Sequence, residues 1–144
     1  MAISQTGVRS PQLLPRRGAA SIDGMLYPLI GARLHGWLDD GVTALYLLGA
    51  WLLGLHGVAL AIALGGAAVH FTLTRVTNYP QGTIKVLPFR AHAFIELGEG
   101  IAVLGATWTA AGAAPTPTRL ILTAMGLSQF VAFGFSDYGP PAAG

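Results

Sequence analysis

The chain has no cysteine among its 144 residues, which excludes disulfides and thiolate metal sites. Charge is nearly as scarce. Asp, Glu, Lys and Arg make up 10% of the residues, where an ordinary soluble domain carries about 25%. Phosphate-binding loops, nucleophile–base pairs and zinc-hydrolase spacings are missing too, so no catalytic residue is assigned and the chain is not expected to be an enzyme. What remains is oil: 53% hydrophobic residues and a mean hydropathy of +0.59. The length suits one domain.

Four apolar stretches approach the roughly 20 residues that a membrane-crossing helix needs. They run over Leu34–Leu55, Val58–Val76, Phe89–Ala111 and Thr118–Phe135, broken at Gly54–Gly57, Asn78–Pro88 and Gly112–Thr118. A soluble bundle would show polar outer faces, and these stretches mostly do not. The expected fold is an all-α membrane protein of four transmembrane helices. Seven of the eight basic residues, Arg9, Arg16, Arg17, Arg33, Arg75, Lys85 and Arg90, fall in or beside the N-tail, the middle loop and the C-tail. Only Arg119 borders the other side, so both termini are expected to be cytoplasmic. The pI near 9.4 reflects this loop charge and makes no case for nucleic acid. No small-residue cleavage signal follows Met1–Gly24, so the tail is not expected to be a cleavable leader.

The central pattern occurs twice. Arg33-Leu34-His35-Gly36-Trp37-Leu38-Asp39-Asp40-Gly41 is answered in register by Arg90-Ala91-His92-Ala93-Phe94-Ile95-Glu96-Leu97-Gly98, and Trp51 by Trp108 at the same offset. Thr77-Asn78-Tyr79 is answered at a slightly larger offset by Ser136-Asp137-Tyr138. An internal repeat of this kind predicts two copies of one helical hairpin. Each copy holds two spans, so the copies enter the membrane in the same sense and are related by a pseudo-twofold along its normal. The expected organisation is a polar tail 1–31, repeat 1 at 32–79, a cytoplasmic loop 80–88, repeat 2 at 89–138 and a C-terminal tail 139–144. Helix glycines such as Gly41, Gly49, Gly65, Gly66, Gly98, Gly100, Gly105 and Gly126 are expected to let backbones approach.

At these residues the pattern resembles the SPW-repeat family of small bacterial membrane proteins. The matching elements are His35-Gly36-Trp37-Leu38-Asp39, Thr77-Asn78-Tyr79, Lys85-Val86-Leu87-Pro88, and His92 with Glu96, over about Ala32 to Tyr138. The namesake Ser-Pro-Trp element is absent, since Trp51 follows Gly49-Ala50 and Trp108 follows Ala106-Thr107. The resemblance implies a four-helix, two-repeat fold and a bacterial inner membrane location, and it lends no catalytic residues.

In this topology Arg33, His35, Asp39, Arg90, His92 and Glu96 crowd toward one membrane boundary. His35 and Asp39 share a helix face, as do His92 and Glu96. The favoured reading is a structural polar cluster in which Arg33 and Arg90 pair with Asp39 or Glu96. The alternative is a metal, proton or quinone site. Glu99 lies about 10 Å deeper than His92 and has Val42 as its repeat equivalent, which marks it as a buried ionisable candidate. His70, with Gly66 one turn earlier, reads first as a hydrogen-bonded core histidine, and the alternative is a ligand to the flat macrocycle of a haem or chlorophyll-type pigment. Three functions follow from these features. The preferred one is a non-catalytic accessory subunit of a larger photosynthetic or respiratory membrane complex. The others are a small tetrapyrrole- or quinone-binding protein and a proton relay or transporter. Expected partners are lipids and other membrane subunits, the latter met through helix faces and the N-terminal tail.

Overall fold

A computed structural model describes residues 29–139. The expected placement of the tail, with Arg9, Arg16 and Arg17 against a neighbouring subunit, lies outside the described residues. The described chain folds as four helices with no strand: α1 (Ala32–Leu52), α2 (Gly57–Val76), α3 (Phe89–Trp108) and α4 (Thr116–Phe135). Each holds 20 or 21 residues, about 30 Å of helix.

Local chemistry sets the boundaries. Gly54 adopts φ +58°, a left-handed turn that ends α1 before the apolar run itself ends at Leu55. Pro88 and Pro115 sit immediately before α3 and α4, where the missing N–H costs nothing. The third apolar run likewise outlasts its helix, because residues 109–113 turn into the loop that leads to Pro115.

Consecutive helices pack antiparallel, α1 on α2 and α3 on α4, and the ring closes through α2 on α3 and α1 on α4. The starts of α1 and α3 and the ends of α2 and α4 therefore meet at one end of the bundle. Two short junctions bind that end. The Leu29 and Ile30 N–H groups donate to the Phe135 carbonyl, and the Val86 and Leu87 N–H groups donate to the Val76 carbonyl, all at 2.9 Å. Asp137 N–H donates to the Ile30 carbonyl at 2.9 Å, as Asn78 N–H does to that of Leu87 at 2.8 Å. Each bond maps onto its counterpart when one repeat is laid on the other. The entry of each hairpin is thus stitched to the exit of the other.

Close packing depends on small residues. Ala59, Ala63 and Ala67, four apart on α2, join Tyr46, Ala50, Leu122 and Met125 in the apolar core. A Cβ on Gly100 would lie 2.9 Å from the Gly126 carbonyl oxygen, and one on Gly126 3.2 Å from that of Gly100, so α3 and α4 touch backbone to backbone. The glycine expectation does not extend to Gly41, Gly65, Gly98 and Gly105, which have nothing within 4 Å. They face outward.

Polarity is inverted relative to a soluble bundle. His35, Asp39, His70, His92, Glu96 and Gln129 are buried, while Trp37, Leu45, Leu48, Trp51, Phe94, Trp108 and Val131 are exposed. Two helices, α2 and α4, are long and apolar enough to cross a membrane, with mean hydropathies of 1.7 and 1.3.

Candidate functional site: a histidine–carboxylate cluster on the bundle axis

The repeated His-x-x-x-acid pattern places His35 and Asp39 on the inner face of α1 and His92 and Glu96 on the inner face of α3. All four are at most 2% exposed. His35 Nε2 and His92 Nε2 approach to 3.3 Å, across the diagonal of the bundle. Side chains related by a pseudo-twofold can touch each other only on its axis, so this contact marks the centre. The carboxylates converge on the same point. Asp39 Oδ1 and Glu96 Oε2 each lie 3.4 Å from His35 Nε2. Asp39 Oδ2 is 3.4 Å and Glu96 Oε2 3.8 Å from His92 Nε2.

The outer ring nitrogens are held by hydroxyls from the opposite repeat. His92 Nδ1 meets Thr77 Oγ1 at 2.8 Å, and His35 Nδ1 meets Ser136 Oγ at 2.6 Å. Thr77 Oγ1 has one proton and donates it to the Leu73 carbonyl at 2.6 Å. It must therefore accept from His92 Nδ1–H, which leaves the His92 Nε2 lone pair aimed at the centre. Tyr79 closes one side by donating to Asp39 Oδ2 at 2.7 Å. Burial, and then the Asp39 charge, raise the Tyr79 phenol far above its ordinary value, so it stays a donor. Burial and Glu96 act alike on Tyr138. Its hydroxyl, however, donates to the Ala132 carbonyl at 3.3 Å. Glu96 Oε2 is consequently buried without a hydrogen bond.

The arginine pairing expected from sequence is replaced. Arg33 and Arg90 are exposed, and the ion-pair contacts of Asp39 and Glu96 among the described residues are to histidines. Helical periodicity explains this: each arginine precedes its histidine by two residues, a rotation of about 200°, and so points away from the axis. Arg75 pairs with Asp40, a contact inside repeat 1.

A second, inner cluster lies deeper. His70 on α2 meets Gln129 on α4 at 2.8 Å, again a repeat-related pair, across the other diagonal. The amide nitrogen of Gln129 can only donate, so His70 Nε2 accepts and carries its proton on Nδ1. That nitrogen stands 3.2 Å from Glu99 Oε2. Glu99 is thus brought to the one helix histidine that has no acid near it in sequence.

His70 is thus a hydrogen-bonded core histidine, and the alternative macrocycle beside it has no room here. The space left by Gly66 is filled by Tyr46, whose Cζ would lie 2.6 Å from a Cβ at that position, and His70 is fully buried. A cavity of about 290 Å³ opens at the opposite end of the bundle, between the two short loops, remote from both clusters. Sequence reasoning missed Thr77, Ser136, Tyr46 and Gln129 as members of these clusters. The signal for the first two was present, as a hydroxyl recurring in register at the end of each hairpin. No protein-family model matches the chain, and no curated protein or solved structure matches it either.

Proposed function

We propose that the chain is a four-span membrane protein of a bacterial inner membrane, both termini cytoplasmic, serving as a non-catalytic accessory subunit of a larger photosynthetic or respiratory complex. The inverted polarity carries this reading. Among the described helices only α2 and α4 are apolar enough on composition, yet His35, Asp39, His92, Glu96 and Glu99 of α1 and α3 turn inward and leave Leu, Val and aromatic side chains outside. Exposed aromatics stand at both ends of these helices, Trp37 and Phe94 at one and Trp51 and Trp108 at the other. The same residues keep membership of the SPW-repeat family as part of this reading. The outer faces meet lipid or the helices of partner subunits.

The test exploits the cysteine-free background. With this topology, Ala113→Cys is labelled by an impermeant maleimide from outside and Thr83→Cys only after permeabilisation. The reverse pattern sinks it. Gentle extraction from the native membrane followed by native mass spectrometry should return the chain at fixed stoichiometry with other membrane subunits, whereas a lone chain removes the subunit reading.

One observation favours a second reading, a proton relay. The inner cluster begins one helical turn below the boundary cluster, with Glu99 one turn after Glu96 on α3, so titratable groups follow one another along the axis. Proteoliposomes loaded with a pH dye should then show proton flux that Glu99→Gln stops. Equal flux in the variant discards the relay.

A further inference from the structure

We propose that His35, Asp39, His92 and Glu96 form a binding site for one divalent first-row transition metal, with the tetrahedral geometry of zinc. The inference stands on the cluster itself and is independent of the subunit or relay reading.

Four residues each offer one donor atom, and these atoms all lie within 4.8 Å of one another. The histidines approach each other to 3.3 Å, His35 lies 3.4 Å from Asp39 Oδ1 and from Glu96 Oε2, and His92 lies 3.4 Å from Asp39 Oδ2 and 3.8 Å from Glu96 Oε2. With zinc–ligand distances of about 2.0–2.2 Å for imidazole and carboxylate, neighbouring ligands around a tetrahedral ion lie about 3.3–3.6 Å apart. Four of these five contacts fall in that range, longer than ordinary hydrogen bonds.

Three further observations point to a cation at the centre. Thr77 fixes the proton of His92 on Nδ1, so its Nε2 presents a lone pair inward. Both histidines have their outer nitrogen held by a hydroxyl from the opposite repeat, the arrangement that orients imidazole ligands toward a metal. Glu96 Oε2, 1% exposed as a residue, is aimed at the same point and accepts no hydrogen bond. Two carboxylates and two neutral imidazoles around one divalent ion sum to zero charge, which suits a buried site. The donor set fits zinc, iron(II) or manganese(II).

The experiment uses the untagged full chain in detergent, loaded with Zn²⁺ or Co²⁺ alone, gel-filtered and analysed by metal mass spectrometry. The expected result is one equivalent per chain, and for Co²⁺ the intense visible bands of a four-coordinate ion. Glu96→Gln keeps the shape and removes a ligand charge, and Thr77→Val removes only the hydroxyl that orients His92. Thr77→Val should weaken binding about 10–100-fold, and Glu96→Gln at least as much. Glu99→Gln, in the inner cluster, should leave affinity unchanged. Circular dichroism checks that each variant stays helical, and a misfolded Thr77→Val leaves Glu96→Gln to decide. A wild-type chain that retains no metal, six-coordinate Co²⁺ bands, or affinity unmoved by both variants overturns the site.

Discussion

The boundary cluster and the inner cluster are built by the same geometric rule and differ in their chemistry. In both, a repeat-related pair touches on the axis: His35 with His92 from α1 and α3, and His70 with Gln129 from α2 and α4. The boundary pair kept matching partners, with an acid one turn after each histidine and a hydroxyl behind each ring. The inner pair did not: one member is an amide, and Glu99 has no counterpart because Val42 stands at its repeat position. The boundary level therefore gathers two histidines and two acids, and the inner level one histidine, one amide and one acid. A duplicated hairpin can keep matching partners on its axis or replace them on one side, and the two levels of this bundle show one case each.

The largest effect expected is on the boundary cluster. His92→Leu removes one member of a fully buried charged set and should cost about 3–5 kcal/mol, read as unfolding in mixed micelles of increasing SDS fraction. His56→Leu, the same replacement at a loop position, should stay within about 0.5 kcal/mol. Equal losses would mean that the boundary cluster does not hold the hairpins together.

Within that cluster the two tyrosines sharpen the comparison. Tyr79→Phe deletes a donor to a buried carboxylate and should cost about 1.5–3 kcal/mol. Tyr138→Phe deletes a longer bond to a carbonyl and should cost only about 0.5 kcal/mol. If the order reverses in the same unfolding measurement, Tyr138 and not Tyr79 supports the carboxylates.

The smallest effect tests the inner cluster through two adjacent glycines. Gly66→Ala drives a methyl into the fully buried Tyr46 ring and should cost about 1–3 kcal/mol. Gly65→Ala meets nothing and should be neutral or stabilise by up to about 1 kcal/mol. Similar melting temperatures for the two variants would show that the Tyr46 side chain yields, and would reopen space beside His70.

Much of this was legible along the chain. The register of His35 with His92 names two residues that meet at one end, and the helix starts are readable to within a fraction of a turn from the apolar runs. What failed was direction. Nearness in sequence groups Arg33 and Arg90 with the acids, but a two-residue step on a helix turns a side chain to the opposite face. The choice between a core histidine and a macrocycle ligand at His70 could not be made locally, because nothing in the nearby sequence says that Tyr46, on a different helix, occupies the space.

Four helical segments, two copies of one hairpin, and the residues that share each helix face are all dictated along the chain, because the 3.6-residue period and the repeat offset are local or additive properties. Packing settled the rest: which face turns inward, which hydroxyl holds which histidine, and where the donors converge. In this bundle the outer faces are as apolar as the core, so hydrophobicity carries no inward direction. The deciding contacts, His35 with Ser136 and His70 with Gln129, join the first hairpin to the second and exist only once four helices are packed around one axis.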